Sequence, residues 1–160
     1  MLKFFRDLLT DENNQNNYSH DSETYRTHTS RKLELATCAL FLEVAQSDEH
    51  YEKSEREQIV AAMKSLFTLS EKEITELMKQ SDEQVRESVS LYEFTDVINH
   101  YFDKDQKYEV IKNLWRLIFA DEKISKYEEH FIRTINNNFH LEHNDLIASK
   151  MEVKKELGIE

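Results

Sequence analysis

An apolar run gives way to an acidic turn and then to a charged segment in "IKNLWRLIFADEKISKYEEHFI", residues 111–132. The stretch "FLEVAQSDEHYEKSEREQI", residues 41–59, has the same layout. A shift of 73 residues places Asp48 on Asp121, and it also aligns Glu55 with Glu128. Such self-similarity predicts a chain built from two copies of one structural unit.

The repeat extends beyond the acidic turns. With a shift of 72 residues, "FTLSEKEI" at residues 67–74 matches "FHLEHNDL" at residues 139–146. The predicted unit is helix, acidic turn, helix, short turn, helix, and it occurs twice. We expect the two units to pack face to face around a pseudo-two-fold axis, which would bring the acidic turns into related positions.

Composition indicates an all-α fold. The chain has 160 residues, enough for one domain with a buried core, yet it contains a single glycine and no proline. Folds rich in strands need many turn residues, and parallel α/β folds need glycine in their ligand loops. We therefore predict an all-α bundle of six to eight helices in two pseudo-repeats.

Apolar residues recur at helical spacing along most of the chain. The helices are predicted at residues 25–46, 54–67, from Ser70 onward, once or twice within 82–101, and at 105–120, 125–139 and 142–157. Capping boxes, Ser or Thr followed three residues later by Glu, are predicted at Ser54, Ser70 and Ser125. Trp115 and Tyr92 lie on apolar stripes and are predicted to be core residues, as is Cys38.

The N-terminal part, residues 1–24, differs from the domain at residues 25–160. Leu2, Phe5, Leu8 and Leu9 predict a short amphipathic helix, followed by a polar linker rich in amide side chains. Two interpretations of this helix stay open. It docks onto the body of the protein, or it binds a membrane surface or a partner.

Charge and cysteine content exclude several functions. Acidic residues number 32 against 21 basic ones, and a net charge of −11 disfavours nucleic-acid binding. The one cysteine rules out an internal disulfide and a cysteine-based zinc site. No segment has transmembrane length, and the N-terminus is too short and charged for a secretory signal, so a cytoplasmic location is expected.

The segments quoted above, together with "LYEFTDVIN" at residues 91–99, resemble the tellurite-resistance TerB superfamily, in particular a bacterial TerB-like branch. The resemblance covers roughly residues 31–157. It implies a helical bundle of two pseudo-repeats whose acidic cluster binds divalent metal, and it implies no enzymatic activity. Members are linked to tellurite and stress-response systems, often near membrane-associated complexes. By position, the implied metal ligands are Asp48, Glu55, Asp121 and Glu128.

The sequence departs from the family pattern at three positions. Glu49 and Glu122 stand where the family has glycine after the aspartate, and Ser47 replaces an alanine. Glycine would permit a left-handed turn at no steric cost, whereas glutamate does not. The substitutions either alter the turn or add carboxylate ligands.

Two interpretations of the acidic residues follow from physical chemistry. Carboxylates on a loop and on the next helical turn can converge on a hard cation such as Mg²⁺, Ca²⁺ or Mn²⁺. A glutamate in a first helical turn also caps the helix and interacts favourably with its dipole, which accounts for Glu55 and Glu128 without a ligand. It accounts less well for Asp48 and Asp121, which precede the helices by several residues.

Catalysis has little support, because the sequence offers no nucleophile beside a base, no phosphate-binding glycine loop and no zinc-peptidase motif. We predict a non-enzymatic helical module that binds a divalent cation through paired acidic turns, in a tellurite-resistance or stress-response setting. The alternative is a structural protein-interaction domain whose acidic turns only cap helices. A protein partner, peripheral membrane association and a monomeric or dimeric state are further expectations.

Overall fold

A computed structural model describes residues 22–46, 53–87, 91–120 and 126–159, with the side chains of residues 31–46, 53–82, 91–120 and 127–159. These residues form seven helices, joined by turns without any strand in the described parts. The helices are α1 (Ser22–Gln46), α2 (Lys53–Leu66), α3 (Glu71–Glu87), α4 (Tyr92–Tyr101), α5 (Lys104–Ala120), α6 (Lys126–Asn138) and α7 (His143–Leu157). The predicted all-α class and helix number are confirmed. The N-terminal helix predicted for residues 1–10 lies outside the described residues.

The first helix, α1, is the centre of the bundle. Residues 35–42 are buried without interruption, so this part of α1 is enclosed on all sides. It packs most extensively against α3 and α4, and it also contacts α2, α5 and α6. The hydroxyl of Thr37 is satisfied inside the core, because it donates a hydrogen bond to the Leu33 carbonyl at 2.7 Å.

Helix pairing repeats in the two halves. The first helix of each unit packs against the third, α1 against α3 and α5 against α7. The halves are joined by contacts of α2 with α5 and of α6 with α1. Residues paired by the 73-residue shift have the same burial: Cys38 and Ile111 are both completely buried, as are Phe41 and Leu114. The fourth helix has no counterpart and packs against α1 and α6.

Helix ends agree with the predicted boundaries to within a few residues, with one exception. A break was predicted near Asp82, but α3 continues to Glu87. Helix α2 begins at Lys53, so Ser54 lies inside its first turn and is not the predicted N-cap. Ser70 does cap α3, since its hydroxyl oxygen accepts a hydrogen bond from the Glu73 amide at 3.2 Å. Ser125 lies outside the described residues.

The prediction of Tyr92 as a core residue is wrong, because 64% of its surface is exposed. Phe94, Val97 and Ile98 form the buried side of α4. Tyr92 precedes Phe94 by two residues, which places it about 200° around the helix and toward solvent. Trp115 and Cys38 are core residues, as predicted.

Candidate functional site

Two buried glutamates occupy equivalent places in the two halves. Glu55 is the third residue of α2, and Glu128 is the third residue of α6. Each side chain is only 2% exposed. Both oxygens of Glu128 are shielded from solvent. Glutamate is almost never buried to this degree in soluble proteins, so the coincidence points to a shared role.

Helical spacing explains why these carboxylates face inward. Glu55 precedes the buried Ile59 by four residues, and Glu128 precedes the buried Ile132 by four. Residues four apart lie on the same helix face, so each glutamate begins the apolar stripe that packs onto the other helices. The sequence contains this signal, a carboxylate at the first position of an apolar stripe. Both glutamates were explained by helix capping, and this signal was not used.

Two other helices show how acidic residues at the third position cap in this protein. On α3, the Ser70 hydroxyl caps the helix by accepting from the Glu73 amide at 3.2 Å, and it donates to the exposed Glu73 carboxylate at 2.9 Å. On α7, Asp145 accepts one from the backbone amide of Glu142 at 2.8 Å, completing a capping box. Neither residue is buried. Capping at this position therefore does not require the burial found at Glu55 and Glu128.

The other two predicted ligands, Asp48 and Asp121, lie outside the described residues. Within the described ranges, no three histidine, cysteine, aspartate or glutamate side chains come together in a metal-binding group. Of the four predicted ligands, the structure therefore describes two, Glu55 in the first half and Glu128 in the second, and both are buried. The other two precede these helices in the sequence.

Burial and pairing shift the pKa of several other acidic groups. Burial raises the pKa of the Glu34 and Glu43 carboxyls above the usual value. Hydrogen bonds lower the pKa of Glu152, which contacts Tyr108, and of Glu156, which contacts Arg116. These exposed carboxylates connect α5 to α7 and belong to the structural framework.

Cys38 is a buried core thiol. Burial raises the pKa of its thiol to about 11, so the reactive thiolate form is scarce at neutral pH. The side chain is completely enclosed by the core.

Among the helices that the structure describes, none is both long and apolar enough to cross a bilayer.

Sequence reasoning missed the anchoring role of Trp115. Its indole Nε1–H donates hydrogen bonds to the Leu146 carbonyl at 3.2 Å and to the Ser149 hydroxyl at 3.1 Å. The ring stacks on Phe119, with centroids 5.7 Å apart. The ammonium of Lys150 lies 5.1 Å from the ring centroid. Trp115 thus ties α5 to α7.

Comparison with known proteins supports the resemblance noted in the sequence. The family model described as tellurite resistance protein TerB matches residues 34–151, which run from the middle of α1 into α7. No curated protein and no solved structure gives a significant match. The matched region includes both buried glutamates and both acidic turns. This chain belongs to the TerB family of tellurite resistance proteins.

Proposed function

We propose that this TerB-like module binds a divalent cation, Mg²⁺, Ca²⁺ or Mn²⁺, through Asp48, Glu55, Asp121 and Glu128. The observation that carries the proposal is the burial of Glu55 and Glu128 at equivalent positions, each 2% exposed. Removing a carboxylate from water is costly unless it is paired or hydrogen-bonded, and a divalent cation is one kind of partner that offsets this cost. Hard divalent cations favour oxygen ligands of this type.

The two kinds of carboxylate would have different roles. The buried glutamates are held by helices and would form the rigid, inner part of the site. Asp48 and Asp121 precede those helices and would complete the oxygen ligands from the turns. Four carboxylates outweigh the charge of one divalent ion, so the loaded module would still present an acidic surface to a protein partner. The module would act by binding rather than by catalysis, in a tellurite-resistance or stress-response setting.

The alternative function is a structural interaction domain in which the acidic residues only stabilise helix ends. The capping hydrogen bonds of Glu73 and Asp145 favour it, because they show this use of acidic side chains in the same chain. The two functions differ in their response to an added cation. Glu55 and Glu128 would bind it in the first and would not bind it in the second.

Calorimetry and thermal unfolding of the metal-stripped protein test the proposal. Mg²⁺, Ca²⁺ and Mn²⁺ would each be titrated into the wild type and into the double variant Glu55→Gln/Glu128→Gln. The matched control is Glu73→Gln/Asp145→Asn, which changes two acidic residues at the same helical position that are not buried. At a cation concentration 100 times the dissociation constant, binding stabilises the fold by about 2.7 kcal/mol. For a domain of this size that corresponds to a rise in Tm of roughly 5–10 °C.

We expect heat of binding and a Tm increase for the wild type and the control, and neither for the buried-glutamate variant. An Asp48→Asn/Asp121→Asn variant should bind more weakly because it lacks the turn ligands. If no cation produces heat or a Tm shift with the wild type, the proposal is wrong, and the acidic turns are structural.

A further inference from the structure

Two short turns, one in each half, correspond in sequence but differ in packing. The first turn, residues 67–70, joins α2 to α3, and the second turn, residues 139–142, joins α6 to α7. The 72-residue shift places Phe67 on Phe139 and Leu69 on Leu141. Phe139 and Leu141 are buried, whereas Phe67 and Leu69 are half-buried. The same sequence unit is therefore packed less tightly in the first half.

The second turn is closed by its own hydrogen bonds. The amide of His140 donates to the Asn137 carbonyl at 3.0 Å, and that of Leu141 donates to the Asn136 carbonyl at 3.2 Å. With His140 in the left-handed region at φ 59°, these two bonds form a Schellman motif. The side-chain amide of Asn136 also donates to the Glu142 carbonyl at 3.1 Å.

Two side chains from neighbouring helices hold the second turn from outside. Asn99 of α4 donates from Nδ2 to the Asn138 carbonyl at 2.7 Å. The ammonium of Lys107, on α5, donates to the Phe139 carbonyl at 3.1 Å and to Oδ1 of Asn99 at 3.2 Å. An ammonium at a helix C-terminus satisfies free carbonyls and interacts favourably with the helix dipole. The end of α6 is thus fixed to both α4 and α5.

The first turn has a weaker set of contacts. Among the residues that the structure describes, Thr68 and Leu69 donate no backbone hydrogen bond. The repeat aligns Lys64 with Asn136, and Lys64 pairs with the exposed Glu71 at 2.8 Å. An exposed ion pair of this kind contributes little to stability. The end of α2 is therefore held less firmly than the end of α6.

The charge at one aligned position is opposite in the two halves. The 73-residue shift places Glu34 of α1 on Lys107 of α5. Burial raises the pKa of the Glu34 carboxyl most, Arg31 lowers it, and the charge of Glu73 on α3 raises it. An ionised carboxylate cannot donate to helix-end carbonyls, and its charge is unfavourable near the negative end of a helix dipole. The first half thus lacks the group that fixes the second turn.

We propose that Lys107 holds the second turn closed, and that the first turn, which has Glu34 at the equivalent position, opens locally while the rest of the bundle stays folded. Elements that move during function come from the least stable parts of a fold. Because α2 carries Glu55 and α6 carries Glu128, the first half is the moving half of the proposed cation site. This consequence rests on the proposed function, whereas the difference between the turns does not.

Hydrogen exchange of the full-length, metal-stripped protein, read by NMR, tests the proposal. The amides of Phe67 and Phe139 are matched probes, because each donates a 2.9 Å hydrogen bond to the carbonyl four residues earlier. After correction for intrinsic exchange rates, the protection factor of Phe139 should exceed that of Phe67 about tenfold or more. Since no cation is present, equal protection would overturn the proposal whatever calorimetry shows for cation binding.

Low concentrations of urea distinguish local opening from global unfolding. Local opening exposes little surface, so the exchange of the Phe67 amide should barely change as urea is added. The core amides of α1, residues 36–42, should depend steeply on urea because they exchange only when the whole domain unfolds. An equally steep dependence for Phe67 would overturn local opening of the first turn.

The variant Lys107→Met keeps the apolar stem of the side chain and removes the ammonium. The protection of Phe139 should fall about tenfold, and that of Phe67 should not change because the first turn opens independently. The matched control, Lys112→Met, removes an ammonium of the same helix that pairs with Glu152, and it should change Phe139 by less than about threefold. Unchanged protection of Phe139 in Lys107→Met would overturn the role of Lys107.

The reverse variant, Glu34→Lys, places an ammonium at the equivalent position of the first half. The protection of Phe67 should rise about fivefold, less than Lys107 contributes, because α4 has no counterpart to support the new side chain. Asp96→Lys makes the same charge change on the exposed side of α4 and should leave Phe67 unchanged. Unchanged protection of Phe67 in Glu34→Lys would overturn the assignment of the difference to this position.

Discussion

Replacing Trp115 with phenylalanine tests how α5 and α7 are held together. The indole is 3% exposed, and its N–H donates to the Leu146 carbonyl and the Ser149 hydroxyl. Phenylalanine preserves an aromatic ring for stacking on Phe119 but has no donor and a smaller volume. The substitution therefore removes the N–H hydrogen bonds and part of the ring volume, and it leaves the remaining packing in place.

The expected loss of stability is the sum of three effects. Loss of the buried N–H donor costs about 1 kcal/mol. The smaller ring leaves apolar volume unfilled, at a further cost of about 1 kcal/mol. Lys150 lies 5.1 Å from the indole centroid, and a weaker cation–π contact with phenylalanine contributes about 0.5 kcal/mol. The free energy of unfolding should fall by about 2–3 kcal/mol.

Urea unfolding followed by circular dichroism at 222 nm measures this change without relying on tryptophan fluorescence. With an m-value of about 2 kcal/mol/M, the midpoint should fall by about 1 M. Ser149→Ala is the control, since it removes one acceptor and leaves the Leu146 carbonyl, so its cost should be less than half. A Trp115→Phe loss below about 0.5 kcal/mol, the range of ordinary surface substitutions, would refute the anchoring role.

Three further changes have defined outcomes. Gly158→Ala should destabilise the protein by about 1 kcal/mol in thermal unfolding. Gly158 ends α7 at φ 67°, and no atom lies near the added Cβ, so backbone strain alone sets the cost. An equal or higher Tm would contradict this cause. Glu43→Gln should stabilise the protein at pH 7, since burial raises the pKa of Glu43 above 4.5 and its ionisation opposes folding. This gain should disappear as the pH falls below 4.5, where the carboxyl is neutral in both states, and a gain that persists there would refute the cause. Arg116→Met should cost about 0.5–1 kcal/mol at neutral pH, because two guanidinium nitrogens bind Glu156 at 2.7 and 2.9 Å on a partly exposed surface. Arg116 lowers the pKa of Glu156, so this cost should be present above the ordinary glutamate pKa and vanish as the pH falls through the lowered value, which denaturation at a series of pH values would check.

The repeat could be recognised in the sequence because its signals are local. Apolar spacing, acidic turns and the scarcity of glycine and proline all act within a few residues of one another. They predicted the helix order and the two-fold repeat, and the buried pairs Cys38 with Ile111 and Phe41 with Leu114 agree with the alignment. Helix ends were less certain because competing caps differ by fractions of a kcal/mol, as at Ser54 and near Asp82.

Only part of the candidate site could be predicted from the sequence. The family resemblance implied Glu55 and Glu128 as metal ligands, whereas helix capping was the physical alternative, and ligation stays a prediction. Their burial depends on helices that lie far away in the sequence, since α2 packs on α5 and α6 on α1. Tyr92 illustrates the same dependence. Its apolar stripe was recognised, but the packing of α4 turned Phe94 inward and Tyr92 outward.

Local sequence signals were enough to specify a helical bundle of two related halves, because helix formation and the hydrophobic pattern are properties of neighbouring residues. The burial of Glu55 and Glu128 became visible only in three dimensions. It depends on the side chains that distant helices place around each carboxylate, since α2 packs on α5 and α6 packs on α1.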